Sequence, residues 1–182
     1  MKLTAKTHLA LIAAVCTLAS VLPSSSNAQS CALYPIALSA DLVANVDPNT
    51  VLSDIPRGTD SGSFGWLTWT GDSSESALVA SLTAPGNSET YLNPLDPGDN
   101  VVSVGDLVEG KPGASNSSAI RDALAALDST ELIVPLFDQA TGGGNSVTYH
   151  VSGFARVQII VVQNRLTVLF LGLTDCGGAP GV

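Results

Sequence analysis

Strand-like patterning dominates the last third of the chain. The runs 132–137, 147–162 and 166–171 are rich in Val, Ile, Thr and aromatic residues, the composition that favours β-strands. Only three residues, 163–165, separate the last two runs. That short separation predicts a terminal β-hairpin.

The run 147–162 changes its phase partway. Val147, Tyr149 and Val151 share the parity of the later apolar positions 157, 159 and 161, whereas Phe154 between them does not. Because side chains on one face of a strand recur every second residue, one extra residue is needed to restore the pattern. We therefore predict a bulge or bend near Ser152 and Gly153.

The first half of the domain shows weaker strand patterns. Residues 32–38 are apolar but contain Pro35, which favours an edge strand, or the first residue pair of one, over a central strand. Residues 43–62 are rich in turn formers and predict loops, with 58–62 exposed. Residues 63–70 predict a strand that turns Trp66 and Trp69 towards a core, with Gly65 allowing a close backbone approach.

Two short helices are predicted between the strands. Asp72 and Glu75 have capping-box spacing ahead of an apolar stretch that ends before Pro85. Asn116 or Ser117 caps a second helix, whose apolar face carries residues 120, 123, 124 and 127. Residues 101–104 predict a brief strand and 105–115 a loop. The fold class is mainly β, a β-sandwich or partly closed barrel with two short helices.

The N-terminus has the pattern of an export signal. Two lysines precede the apolar stretch 9–22, which is shorter than the roughly 20 residues of a membrane span. Small residues precede Gln29, so we predict cleavage after Ala28; an uncleaved anchor is the alternative. The predicted organisation is a signal peptide (1–28), one extracytoplasmic domain (29–176) and a flexible tail (177–182), secreted or periplasmic and without stable membrane insertion after cleavage.

Removal of the signal would leave two cysteines, Cys31 and Cys176. In an oxidising compartment such a pair is most simply a disulfide. Free or intermolecular thiols are the alternative. A bridge here would close a loop spanning almost the whole domain.

The charge balance excludes nucleic-acid binding. Five basic residues would remain against sixteen acidic ones, a net charge of about −11, and the basic residues are scattered singly. Such a surface repels phosphate backbones and anionic lipid. The partner we expect is a protein or a surface polymer.

Candidate chemistry is sparse. His150, the one histidine after the signal, lies in a strand without a recognisable nucleophile motif. Asp106, Glu109, Asp122 and Asp138 are the carboxylates from which an acid–base pair could be drawn. One histidine and two paired cysteines do not make a zinc site. No catalytic, cofactor or metal residue is therefore assigned.

Calcium is the one weak metal candidate. Asp96, Asp99 and Asn100 place oxygen ligands in a Gly/Pro-rich loop, although their spacing matches no EF-hand. Exposed Trp66 and Trp69 would favour sugar stacking. A calcium-dependent or carbohydrate-binding or carbohydrate-hydrolysing protein is accordingly the alternative function.

An ordered series of short motifs runs through the domain: FGWL (64–67), VGDLVEGKPG (104–113), NSSAIRDAL (116–124), VPLFD (134–138), YHVSGFAR (149–156) and FLG (170–172). Over roughly residues 62–172 the chain resembles the extracytoplasmic region of bacterial TadE/TadG-like proteins of Tad (Flp) pilus assembly. The resemblance implies an extracytoplasmic module linked to surface structures and supplies no catalytic residues. The expected function is a non-enzymatic module acting through its surface in adhesion, pilus-associated assembly or the envelope.

Overall fold

The structure is a computed structural model that describes residues 31–110, 117–143, 146–162 and 165–176. The predicted signal peptide, its cleavage site and the tail 177–182 lie outside these residues. No helix within the described ranges is long and apolar enough to cross a membrane.

Seven strands and two α-helices build the described domain. The strands are β1 (Ile36–Ser39), β2 (Thr50–Pro56), β3 (Phe64–Trp66), β4 (Leu107–Gly110), β5 (Glu131–Gly143), β6 (Ser146–Val162) and β7 (Arg165–Thr174). The helices are α1 (Glu75–Leu82) and α2 (Ser118–Ala125), and two 3₁₀ turns lie at Ala40–Leu42 and Ser88–Thr90.

All seven strands belong to one sheet. Its order is β2-β7-β6-β5-β1-β3, with β4 added along the first half of β6. The β1–β5 pair is parallel and the other pairs are antiparallel. A single bridge links Leu67, just after β3, to Gly110 of β4, so the sheet curls but is not closed into a barrel. The mainly β fold with two short helices is confirmed.

The sheet has a hydrophobic core on each face. Successive residues of β1 alternate between them, Ile36 and Leu38 joining the first core and Ala37 the second, as the strand period requires. Both helices cover the first core through Leu78, Leu82, Ile120 and Leu124. The second core is covered by the segment between α1 and β4, which contributes Tyr91 and Val102.

A bulge at Ser152 lets β6 serve both cores. Leu136 of β5 pairs with Gly153 and Phe137 pairs with Val151, so Ser152 is the extra residue. Before it, Val147, Tyr149 and Val151 face the second core; beyond it, Ala155, Val157 and Ile159 face the first core. The predicted bulge and terminal hairpin are both confirmed.

Serine caps begin both helices. Ser117 accepts a hydrogen bond from the Ile120 amide (3.3 Å), as predicted for α2. For α1 the predicted capping residue is wrong, because Ser74 rather than Asp72 accepts from the amide of Ala77 (3.2 Å). Asp72 instead accepts from the Ser74 amide (2.8 Å) and orients that cap.

Four predicted element assignments are also wrong. The strand β1 is internal, since it lies between β5 and β3. Pro35 does not prevent this because it precedes the first residue of the strand and contributes only its carbonyl, which accepts from the Leu67 amide (2.9 Å). Strands β2 and β4 lie in segments predicted as loops. Residues 101–104 form no strand, although Val102 is buried in the second core.

The two cysteines form the predicted disulfide. Cys31 and Cys176 are joined across a sequence separation of 145, with Cα atoms 5.6 Å apart. Both pack against the second core. The bridge thus joins the first and last described residues of the domain.

Candidate functional site

The loop before β4 is organised around a buried asparagine. Asn93 donates through Nδ2 to the carboxylates of Asp99 and Asp106, each at 3.4 Å. Its Oδ1 accepts from the amide of Leu95 at 2.9 Å. The side chain is only 8% exposed, so this one amide holds together two carboxylates that would otherwise repel each other.

Burial raises the pKa values of two side chains in this loop, Asp106 and Tyr91. Desolvation raises the pKa of Asp106, and nearby Asp99 adds to the shift, whereas the donor groups of Ser103, Tyr91 and Asn93 oppose it. The pKa of the Tyr91 hydroxyl is also raised, first by burial and then by Asp106 and Asp99. Among the described residues the Tyr91 hydroxyl makes no hydrogen bond of good geometry, but the Asp106 carboxylate is its neighbouring acceptor. The cluster is therefore a tightly packed acidic core of the loop.

The calcium candidates have internal partners. Asp96 accepts from the amide of Gly98 (3.1 Å), and Asp99 accepts from the amide of Val101 (2.9 Å). Asn100 is exposed beside a cavity of about 330 Å³ next to the disulfide. The described ranges contain no group of three or more His, Cys, Asp or Glu side chains placed to hold a metal. The hydrogen bonds that Asp96 and Asp99 accept from amides two residues further on are Asx turns, the ordinary conformation of a loop of this composition.

His150 pairs with Asp138 across β5 and β6. The Nδ1 atom lies 2.6 Å from the Asp138 carboxylate, and the two side chains are 35% and 44% exposed. A carboxylate bound to Nδ1 fixes the orientation of the imidazole ring. Ser152 along the same strand donates to the Leu136 carbonyl (3.4 Å) rather than to the ring.

The pairing depends on a second irregularity in the sheet. Phe137 pairs with Val151 and Gln139 pairs with His150, so Asp138 is an extra residue on β5. As predicted, His150 is on the opposite face from Tyr149 and Val151, which are buried in the second core. The dyad lies on an open strand surface.

The remaining sequence candidates are dispersed. Glu109 is exposed on β4, and Asp122 is exposed on α2, the helix that covers the first core. Trp66 is 4% exposed in the first core and Trp69 is 2% exposed in the second. The prediction that both tryptophans pack in a core is confirmed, and neither offers an exposed stacking face.

A cleft that the sequence did not indicate lies beside β4. It has a volume of about 200 Å³ and is lined by the segments 68–71 and 91–94 (without Asn93) and by Glu109. We call it the Glu109 cleft. No local motif marks it, because its three parts come together only when β4 docks on residues 67 and 68. The available sequence signal was electrostatic: no lysine, arginine or histidine occurs between Arg57 and Lys111.

Comparison of the chain with protein-family models, with curated proteins and with solved structures gave no match. Function is therefore inferred from the residues and their geometry.

Proposed function

We propose that this protein is an extracytoplasmic, non-enzymatic β-rich module, secreted or periplasmic, that acts by binding a partner at its surface. The observation that carries the proposal is the disulfide between Cys31 and Cys176, which closes the whole described domain into one covalent loop. Disulfides of this kind persist in oxidising compartments outside the cytoplasm. The acidic charge balance favours a protein or surface polymer over nucleic acid.

The distribution of polar side chains supports binding rather than turnover. His150 and Asp138 form an oriented pair whose side chains are 35% and 44% exposed. Acid–base and nucleophilic catalysis need groups that lie within hydrogen-bond reach of one bound substrate. A surface role needs only a rigid scaffold, which the sheet with its two cores supplies.

The resemblance to TadE/TadG-like proteins favours assembly of a bacterial surface structure as the biological setting. Adhesion and a role in the envelope are the neighbouring possibilities within the same proposal. All three settings share one requirement, which is a partner bound outside the cytoplasm.

Site-specific photo-crosslinking in living cells tests the proposal. A photoreactive amino acid would replace the exposed Leu95, Val51 or Leu173, which are 77%, 51% and 64% exposed and lie in three different elements. We expect one discrete adduct with a surface component from one position, on exported protein whose thiols resist alkylation. No adduct from any position, or turnover of a substrate that His150→Ala abolishes, would overturn the proposal.

A further inference from the structure

The Glu109 cleft combines a buried aromatic floor with an exposed aliphatic rim. Trp69 and Tyr91 are 2% and 1% exposed, whereas Leu92 is 56% exposed. Single exposed leucines are ordinary on protein surfaces, but this one borders a concavity whose floor is aromatic. With Pro94 on the same rim, the cleft offers apolar contact area to an incoming group.

One carboxylate stands over this apolar surface. A Cβ built on Gly71 would lie 2.9 Å from Glu109 Oε2, and Gly71 has a φ of +74°. Glycine therefore both permits the local backbone conformation and leaves room for the carboxylate. Within the described residues no hydrogen bond or ion pair engages the Glu109 carboxylate.

The segments that line the cleft all come from a stretch of sequence without basic residues. Eight acidic residues and no basic ones occur between Arg57 and Lys111. Two of them, Asp99 and Asp106, are held by Asn93 beside the cleft residue Leu92. The resulting field attracts cations and steers them to this side of the molecule.

We propose that the Glu109 cleft binds a lysine or arginine side chain of a partner polypeptide. This inference rests on the proposed surface-binding function and names the chemistry of the partner. A long basic side chain lays its aliphatic stem along apolar surface and keeps its charge at the edge; here the stem packs against Leu92 and Pro94 and the charge meets Glu109. At about 200 Å³ the cleft is smaller than the roughly 300–1,000 Å³ of drug-sized ligand sites and suits one side chain.

Titration of the ¹⁵N-labelled protein with short peptides tests the proposal. The probes are tetralysine, tetraarginine and a tetralysine acetylated on every Nε. We expect the basic peptides to shift the amide resonances of residues 68–71, Leu92 and Glu109, and the acetylated peptide to shift none of them. The stronger of the two basic probes identifies the preferred side chain.

Matched charge variants separate the cleft from general attraction. Glu109→Gln should weaken binding of the better probe about three- to fivefold, the upper part of the range for an exposed ion pair. Glu89→Gln removes an equal charge from an exposed position outside this cleft and should change binding less than twofold. Equal weakening by both variants, binding of the acetylated peptide, or shifts confined to other residues would overturn the proposal.

The outcomes also distinguish this inference from the function on which it rests. If Glu109→Gln leaves both peptide binding and the cellular crosslink unchanged, the cleft proposal fails and surface binding stands. If no crosslink forms at any exposed position, surface binding fails, whatever the peptides do.

Discussion

The Tyr149 ring lies between two glycines, Gly65 and Gly110. A methyl group added at Gly65 should therefore destabilise the fold strongly when the Tyr149 ring is present and only weakly when it is absent. A Cβ built on Gly65 would overlap the hydroxyl and ring of Tyr149, and one built on Gly110 would overlap the same ring from β4. The ring also packs edge-on against Phe137 with centroids 4.9 Å apart. Its hydroxyl donates to the Gly58 carbonyl at 3.2 Å.

These contacts set the magnitude of the effect. In Gly65→Ala the new methyl group must displace a ring that cannot swing aside, so the destabilisation should reach about 2–3 kcal/mol, the upper part of the range for overpacked cores. In a Tyr149→Leu background the distal ring atoms are absent. There the same alanine should cost under about 1 kcal/mol, giving a coupling of roughly 1–2 kcal/mol.

Urea unfolding of the four proteins at 25 °C, followed by far-UV circular dichroism, measures the coupling. Gly143→Ala is the matched control, because a Cβ there meets nothing within 4 Å; it should change stability by less than about 1 kcal/mol. If Gly65→Ala costs the same with Tyr149 and with Leu at that position, the ring is not what requires glycine, and the reasoning fails.

Three further predictions concern the disulfide, the helix caps and the acidic loop. Replacing Cys31 and Cys176 together by serine should lower the free energy of unfolding by about 5 kcal/mol, from the chain-entropy relation for a sequence separation of 145; an unchanged urea midpoint would contradict this. Ser74→Ala and Ser117→Ala should each lower the free energy of unfolding by about 1 kcal/mol, measured by thermal or urea unfolding. No change in Ser74→Ala would mean that another residue caps α1. The folded-state pKa of Asp106 is raised above its ordinary value of 3.8, so its contribution favours folding at low pH and diminishes as pH rises through the unfolded and then the folded pKa. Asp106→Asn should therefore gain stability relative to wild type as pH rises from 3 to 7, and an opposite slope would refute the assignment.

The sequence predicted the long strands in which buried and exposed positions alternate. β6 and β7 were identifiable because their buried residues alternate over many positions, and even the Ser152 bulge was visible as a change of phase. β2 was not, because only Ile55 among its seven residues is buried. Asp54 also adopts a φ of 59° within it, and the pairing with β7 shifts its register between Leu52 and Ile55, so the segment lacks the regular alternation of a strand.

The sequence did not predict the short strand β4 or the candidate site, for other reasons. β4 has four residues and only Val108 and Gly110 are buried, too few for a periodicity to emerge. The His150–Asp138 pair requires an extra residue in β5, and the sequence shows neither that bulge nor the register of β5 on β6. The Glu109 cleft is assembled from three segments that are remote in sequence, so only tertiary structure brings them together.

The position of the disulfide also has a mechanical consequence. Tension between anything attached before residue 31 and anything attached after residue 176 passes through the single S–S bond, because the two Cα atoms lie 5.6 Å apart. The β-ladders between them carry no load. Without the bridge, the same stretch could be pulled out to roughly 480 Å. Within a fibre or an envelope under strain, the domain would therefore behave as an inextensible link whose surface keeps its shape while force is transmitted past it.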